Sequence, residues 1–233
     1  MKLDVLKEVN VERAARRPVI VVTDVGNGAQ RIVKAGDIAA DPLRADLARQ
    51  LRMGKSAMIE ADGKKLFLNV YAPTAKLVIV GAVHISQALA PIAQSLGYDV
   101  TIVDPRTAFA SPERFPDIPL IAEWPDVALP PLNVDHYTAF VAVTHDPKID
   151  DPALLHAFER GCFYIGALGS RKTHAKRGER LRAQGAKETD IARIHAPIGL
   201  PIGAVSPSEI AVSIMAEITA QLRLPPKETE EAA

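Results

Sequence analysis

Leu77-Val78-Ile79-Val80-Gly81-Ala82-Val83-His84-Ile85-Ser86 is the stretch on which the reading of this chain turns. An apolar, largely β-branched run enters a glycine turn, and a helix follows. About twenty residues later a second run, Val100-Thr101-Ile102-Val103, ends in Asp104, the layout of a mononucleotide-binding βαβ unit. The glycine lets the backbone turn tightly, the helix start offers N–H groups to a phosphate, and the acid can accept from ribose hydroxyls. Two of the three glycines of the dinucleotide fingerprint are replaced, however, by Val83 and Ser86, and His84 stands in the turn. The pattern fits either an ordinary dinucleotide enzyme or a Rossmann scaffold given over to another ligand.

From Lys76 onward, strand and helix patterns alternate. Strands are predicted at 77–80, 99–103, 118–122, 138–144 and 162–167, with helices at 85–96, 151–160, 171–184, 187–194 and 207–222. This implies an α/β fold, a Rossmann-like, mostly parallel sheet with helices on both faces. The last helix opens on Ser206-Pro207-Ser208-Glu209, a capping box with proline at the first helical position. Residues 17–72 read differently. Val19 to Val25, the turn Gly26-Asn27-Gly28, and Ala29 to Lys34 form one hairpin signature; Ala57 to Glu60, Asp62-Gly63, and Lys65 to Val70 form another. Between them Asp41-Pro42 is expected to cap a helix reaching Met53, with Leu43, Leu47 and Leu51 on one face. The expected organisation is a small N-terminal α+β module at 1–73, the Rossmann-like domain at 74–223, and a frayed tail at 224–233.

Composition narrows the function classes. Acidic and basic residues balance at 28 each, so bulk charge offers no attraction to nucleic acid. One cysteine, Cys162, leaves no disulfide framework or cysteine-rich metal site, and suits a reducing cytoplasm. Residues 1–8 carry charges throughout and lack the apolar core of a signal peptide. No run approaches the roughly 20 apolar residues of a membrane span. Histidines 84, 145, 174 and 195 have no ligand spacing, so no metal held by protein side chains is expected.

Four polar constellations fall where loops leave the carboxyl ends of the predicted strands, the usual ligand edge of such sheets. The first is the turn with Gly81, Val83 and His84, read as a ligand-binding turn against a plain βα turn. The second is Asp104-Pro105-Arg106: Asp104 suits a ribose and Arg106 a phosphate or carboxylate, against a solvated Asp-Pro turn. The third is Thr144-His145-Asp146, a His-Asp pair that can act as acid and base or merely turn the chain. The downstream Asp150-Asp151-Pro152 reads as a helix cap. The fourth is Gly166-Ala167-Leu168-Gly169-Ser170-Arg171. Its glycines and the following helix start suit an anion, which would also explain basic residues at that end; the alternative is a charged solvent face. Cys162, entering an apolar strand, reads as a buried thiol.

Taken in this order, these segments resemble the XdhC/CoxI family of xanthine dehydrogenase accessory factors. Arg114-Phe115-Pro116, Tyr164-Ile165, Ile194-His195-Ala196-Pro197-Ile198-Gly199-Leu200, Ile202-Gly203-Ala204 and Ser206 to Ala211 carry the resemblance further, over about 76–223. It implies a cytoplasmic factor that binds the molybdenum cofactor, as molybdopterin or its nucleotide form, and assists its maturation or insertion into a xanthine dehydrogenase or carbon monoxide dehydrogenase type enzyme. The implied partners are the molybdoenzyme apoprotein, a full-length XdhC-type paralogue and a second copy in a homodimer. The chain departs from the family at Val83, where the family reads glycine, and it lacks the family's Ser-Gly-Gly-Cys segment, so it reads as a short, divergent member. The cofactor-binding candidates are Gly81, Val83, His84, Asp104, Arg106, Thr144, His145, Asp146, Gly166, Gly169, Ser170 and Arg171; no residue is assigned a catalytic role. The alternatives are an NAD(P)-dependent oxidoreductase using His84 or His145, and a non-catalytic adaptor that docks on a molybdoenzyme.

Overall fold

The computed structural model describes residues 2–225, and the expected tail lies almost wholly outside them. The chain divides into two compact units at Pro73/Thr74, the second ending at Leu222.

The first unit holds α1 (Leu3–Ala14), β1 (Val19–Asp24), β2 (Gln30–Lys34), α2 (Arg44–Met53), β3 (Ala57–Ala61) and β4 (Lys64–Tyr71). Its strands form an antiparallel sheet in the order β2-β1-β4-β3. Strand β1 is buried on both faces, which explains its unbroken apolar run. Ile20 and Val22 pack with Leu47 of α2, while Val19 and Val21 pack with Val5 and Val9 of α1. Helix α1 has no counterpart among the expected elements; its apolar residues Leu3, Val5, Leu6, Val9 and Val11 are scattered around the helix with charges between them, so no apolar stripe marks it. Asp62 and Gly63 both take positive φ, as a tight hairpin turn requires. Helix α2 starts at Arg44, two residues later than Asp41-Pro42 suggests. Asp41 instead accepts from the Leu43 amide and pairs with Arg31 of β2, after a 3-10 turn over Ala35–Ala40.

The second unit contains β5 (Lys76–Val80), α3 (His84–Ser95), β6 (Asp99–Val103), β7 (Leu120–Ile121), α4 (Pro125–Ala128), β8 (Thr138–Ala142), α5 (Pro147–Glu159), β9 (Tyr164–Ala167), α6 (Arg171–Ala183), α7 (Glu188–Ile191), β10 (Ile194–His195) and α8 (Pro207–Arg223). All six strands are parallel, in the order β10-β9-β8-β5-β6-β7. The chain runs outward from β5 through β6 to β7, then returns to β8 on the other side of β5, the doubly wound Rossmann order. Leu77 and Ile79 face one core with α3 and α8, and Val78 and Val80 face the other with α5, α6 and α7. Helices therefore cover both faces. Among the described residues, no helix is long and apolar enough to cross a membrane.

Three differences from the expected elements bear on the site. Helix α5 begins at Pro147, not 151, because Asp146 is its N-cap and accepts from the Lys148 amide at 2.9 Å. Asp150 and Asp151 are consequently buried within the helix and do not cap it. The predicted helix over 187–194 shrinks to the single turn of α7, and the chain then adds β10 beside β9.

Gly166 in β9 has ordinary extended backbone, yet a Cβ there would lie 2.5 Å from Ile198 Cδ1 and 2.8 Å from Tyr164 Cε1. Glycine is needed for close approach of the 197–200 loop, not for a turn. Gly166→Ala should destabilise the unit by about 1–3 kcal/mol through overpacking. Adding Ile198→Val should recover part of this in a denaturant melt; full independence of the two changes would refute the packing account.

Candidate functional site

At the point where the strand order reverses, the turns after β5 and β8 touch. A Cβ on Gly81, whose φ is +124°, would meet Thr144 Cγ2 at 3.0 Å. Around this contact sit the first two constellations, and both prove to be tightly self-bonded. Asp104 is fully buried, and its four lone-pair positions all have donors. Oδ1 accepts from the amide and Nε of Arg106 at 3.0 and 2.9 Å; Oδ2 accepts from the Ala82 amide and Arg106 Nη2, both at 2.7 Å. Burial pushes the Asp104 carboxyl up, but the Arg106 guanidinium and the two amides outweigh it and hold it below its ordinary range. Arg106 also lies over the Phe109 ring, 4.4 Å from its centroid. Arg114 donates to the Ala82 and Phe109 carbonyls, so the turn's backbone is held from both sides. Ser86, at the position of the fingerprint's third glycine, is buried and donates to the Gly81 carbonyl. Val83 is the N-cap of α3 without a side-chain bond, and His84 is exposed at its first position.

The third constellation is built on Asp150. Its Oδ1 accepts from the Thr144 hydroxyl at 2.6 Å, and its Oδ2 accepts from the His145 amide at 3.1 Å. Burial drives the Asp150 carboxyl up, opposed by the Thr144 hydroxyl and amide, by Arg177 and by the His145 amide. His145 is held at a φ of 64°, a left-handed conformation that costs a non-glycine residue about 1–2 kcal/mol. Its side chain is exposed at the mouth of a cleft.

That cleft, about 670 Å³, is lined by His145, by Leu168 to Arg171, by Pro197 to Ala204 and by Ile210, Ser213 and Glu217 of α8. Gly169, at a φ of +133°, turns the chain into α6, where Ser170 is the N-cap and accepts from the Thr173 amide. Arg171 is exposed on the rim. Behind this turn Arg177, 2% exposed, donates through Nη2 to the Leu168 carbonyl at 2.8 Å, while its buried Nε and Nη1 have no partner among the described residues. Burial lowers the Arg177 pKa, and Asp150 and Asp151 oppose that shift.

The opposite wall carries a network that the candidate residues do not include. Glu217 Oε2 accepts from the Tyr164 hydroxyl at 2.6 Å and the Gly199 amide at 2.8 Å, and Oε1 lies 3.0 Å from His195 Nδ1. The Tyr164 and His195 rings stack with centroids 4.5 Å apart. Burial pushes Glu217 up, but the bonds from His195, Tyr164 and Gly199 prevail and keep it below the usual carboxylate range. Burial, with Glu217 beside it, raises the Tyr164 phenol. The text that signals this wall is present in the sequence, in the Ile194 to Leu200 run, but its partner lies on α8 more than a dozen residues further on.

The cleft thus unites His145 with Gly169, Ser170 and Arg171. Gly81, Val83, His84, Asp104, Arg106 and Thr144 lie outside its lining, at the adjacent reversal point. Asp146 serves as the α5 cap and Gly166 as a packing glycine beneath the loop. Cys162 is buried, its thiol pushed up to about 12 by burial, and it is inert at neutral pH.

Fold and site together define a Rossmann-type α/β domain with a cleft at the carboxyl edge of its sheet. The family model of the XdhC Rossmann domain matches residues 77–218, and the chain belongs to that family. It is 34% identical over 174 residues to the uncharacterized protein YqeB of Escherichia coli, covering 73% of this chain and 32% of that one. It is 32% identical over 154 residues to the molybdenum cofactor insertion chaperone PaoD of Escherichia coli, covering 66% of this chain and 42% of that one. The crystal structure of a Bacillus halodurans protein described as a xanthine dehydrogenase matches with a TM-score of 0.67 and 25% identity, over 94% of this chain and 67% of that one. The chain spans less than half the length of the curated relatives it matches.

Two changes test the wiring. Asp104→Asn should cost about 1–3 kcal/mol at neutral pH, because buried donors lose their charged acceptor. A carboxyl held below its unfolded pKa adds stability above that pKa and loses it as pH falls through the folded value, so the variant should show a shallower acid limb below about pH 5 in denaturant titrations. His145→Gly should raise the melting midpoint by up to about 1 kcal/mol of stability, since glycine accepts the left-handed backbone. No gain would mean that the Asp150 bonds do not hold His145 under strain.

Proposed function

We propose that the chain is an accessory factor that binds the molybdenum cofactor, as molybdopterin or its nucleotide form, and assists its maturation or insertion into a xanthine dehydrogenase or carbon monoxide dehydrogenase type enzyme. The observation that carries this reading is the start of α6 inside the cleft. Gly169, the start of α6 at Ser170 and Arg171, and the Arg171 side chain present hydrogen-bond donors and positive potential to an anion, and the buried guanidinium of Arg177 stands behind them. A volume of about 670 Å³ suits a pterin with its phosphate tail. These residues fit the phosphate end of such a ligand. The bound cofactor would bring molybdenum redox chemistry to its eventual enzyme; the residues of this chain hold the phosphate, orient the ring system and limit solvent access.

Support for the accessory role comes from family membership and from a relative named as an insertion chaperone. The nicotinamide reading is weakened by Asp104, whose lone pairs are all engaged, leaving no acceptor for a ribose at that position. On this reading the partners are a molybdoenzyme apoprotein and a longer XdhC-type paralogue, and the compartment is the cytoplasm.

Cofactor released from a molybdoenzyme should be retained by the purified chain on ultrafiltration. Arg171→Ala should weaken that binding about tenfold, the value of one charge-assisted hydrogen bond. Failure of the unaltered chain to retain the cofactor, with tight saturable binding of reduced nicotinamide cofactors in its place, would replace this reading with the oxidoreductase one.

A further inference from the structure

Glu217 is the acceptor counterpart of the donor-rich end of the cleft. A carboxylate offers about four lone-pair positions. Both on Oε2 are taken, by the Tyr164 hydroxyl and the Gly199 amide, while among the described residues Oε1 receives only His195 Nδ1. The Glu217 side chain is 16% exposed and is part of the cleft lining, and Oε1 keeps one acceptor position unfilled. Because an ionised carboxylate cannot donate, His195 must carry its proton on Nδ1, and the wall around Glu217 has a fixed hydrogen-bond polarity. The wall is also rigid. A Cβ on Gly199, at a φ of +90°, would sit 2.3 Å from Ser213 Oγ, and one on Gly166 would strike Ile198; the loop is therefore clamped between β9 and α8. Tying α8 to the sheet would need only one of these bonds. Three donors converging on a carboxylate that borders a cleft orient it.

We propose that Glu217 is a ligand-binding residue, positioned by Tyr164, His195 and Gly199, that accepts a hydrogen bond from a ring N–H of the ligand. The cleft then takes a heterocycle that carries both an anionic group, met at the start of α6, and an N–H edge, met at Glu217. The 2-amino-4-oxopyrimidine edge shared by pterins and guanine has this character. The assignment of the anionic end rests on the function proposed above; the assignment of the N–H edge rests on Glu217 alone.

Calorimetry with four small probes separates the two. Guanosine 5′-monophosphate should bind the unaltered chain at least about tenfold more tightly than ribose 5-phosphate, as a hydrogen bond to a charged group provides. Its N1-methyl derivative should bind no more tightly than ribose 5-phosphate. Glu217→Gln should abolish the preference while leaving ribose 5-phosphate binding intact, since glutamine offers an amino donor where the carboxylate accepts. A preference that survives Glu217→Gln or N1-methylation, equal binding of guanosine 5′-monophosphate and ribose 5-phosphate, or no binding of any probe overturns the proposal. The N1-methyl comparison uses the unaltered protein, so it decides the matter even if the variant fails to fold. Guanosine without phosphate is the fourth probe. If both phosphate compounds fail to bind while guanosine binds in a Glu217-dependent way, the N–H edge stands and the phosphate reading falls.

Discussion

The carboxyl edge of a parallel sheet imposes one constraint on everything built there: backbone amides emerge from the last hydrogen-bonded positions with no next strand to receive them, and those that are buried need an acceptor. This fold meets the need with carboxylates. Asp104 takes the Ala82 amide, Asp150 takes the His145 amide, and Glu217 takes the Gly199 amide. Each acid comes from a different element than the loop it holds, so each bond also fixes one element against another. Burying a charge this way is tolerable only because every acid has several donors. The shape of the cleft follows from these anchors.

Much of the Rossmann unit was legible in the sequence because its signals are local. Apolar runs of strand length, the Gly81 turn and the Ser206 to Glu209 capping box each specify their own conformation, and the capping box is realised with Glu209 bonding back to the Ser206 amide. The errors fall where a distant partner decides. Asp150-Asp151-Pro152 looks like a cap when read alone; Thr144, His145 and Arg180 draw the two acids into the interior, leaving Asp146 to cap the helix. Strand β10 is two residues long and exists only because β9 lies beside it. Helix α1 spreads its apolar residues around the helix, so no helical periodicity shows in its sequence.

The site was partly legible for the same reason. The glycine-rich turn at Gly169 and the helix start that follows are features of contiguous sequence, and they do line the cleft. Asp104 carries the chemistry of a ribose ligand in a one-dimensional reading, yet Arg106, two residues away, and the Ala82 amide already saturate it. Glu217 was invisible as a site residue because a glutamate in an amphipathic helix is unremarkable until its neighbours across 18 and 53 residues are known.

The two ends of the six-stranded sheet have a consequence for how this chain meets other proteins. Its outermost strands, Leu120–Ile121 and Ile194–His195, each supply a ladder of only two residues. Edges this short give an incoming strand almost no backbone template, and so they protect the sheet from lengthening by addition of another chain. Recognition of a partner by this unit must then be written in side chains on its helices and loops, where single substitutions can alter the choice of partner without disturbing the sheet.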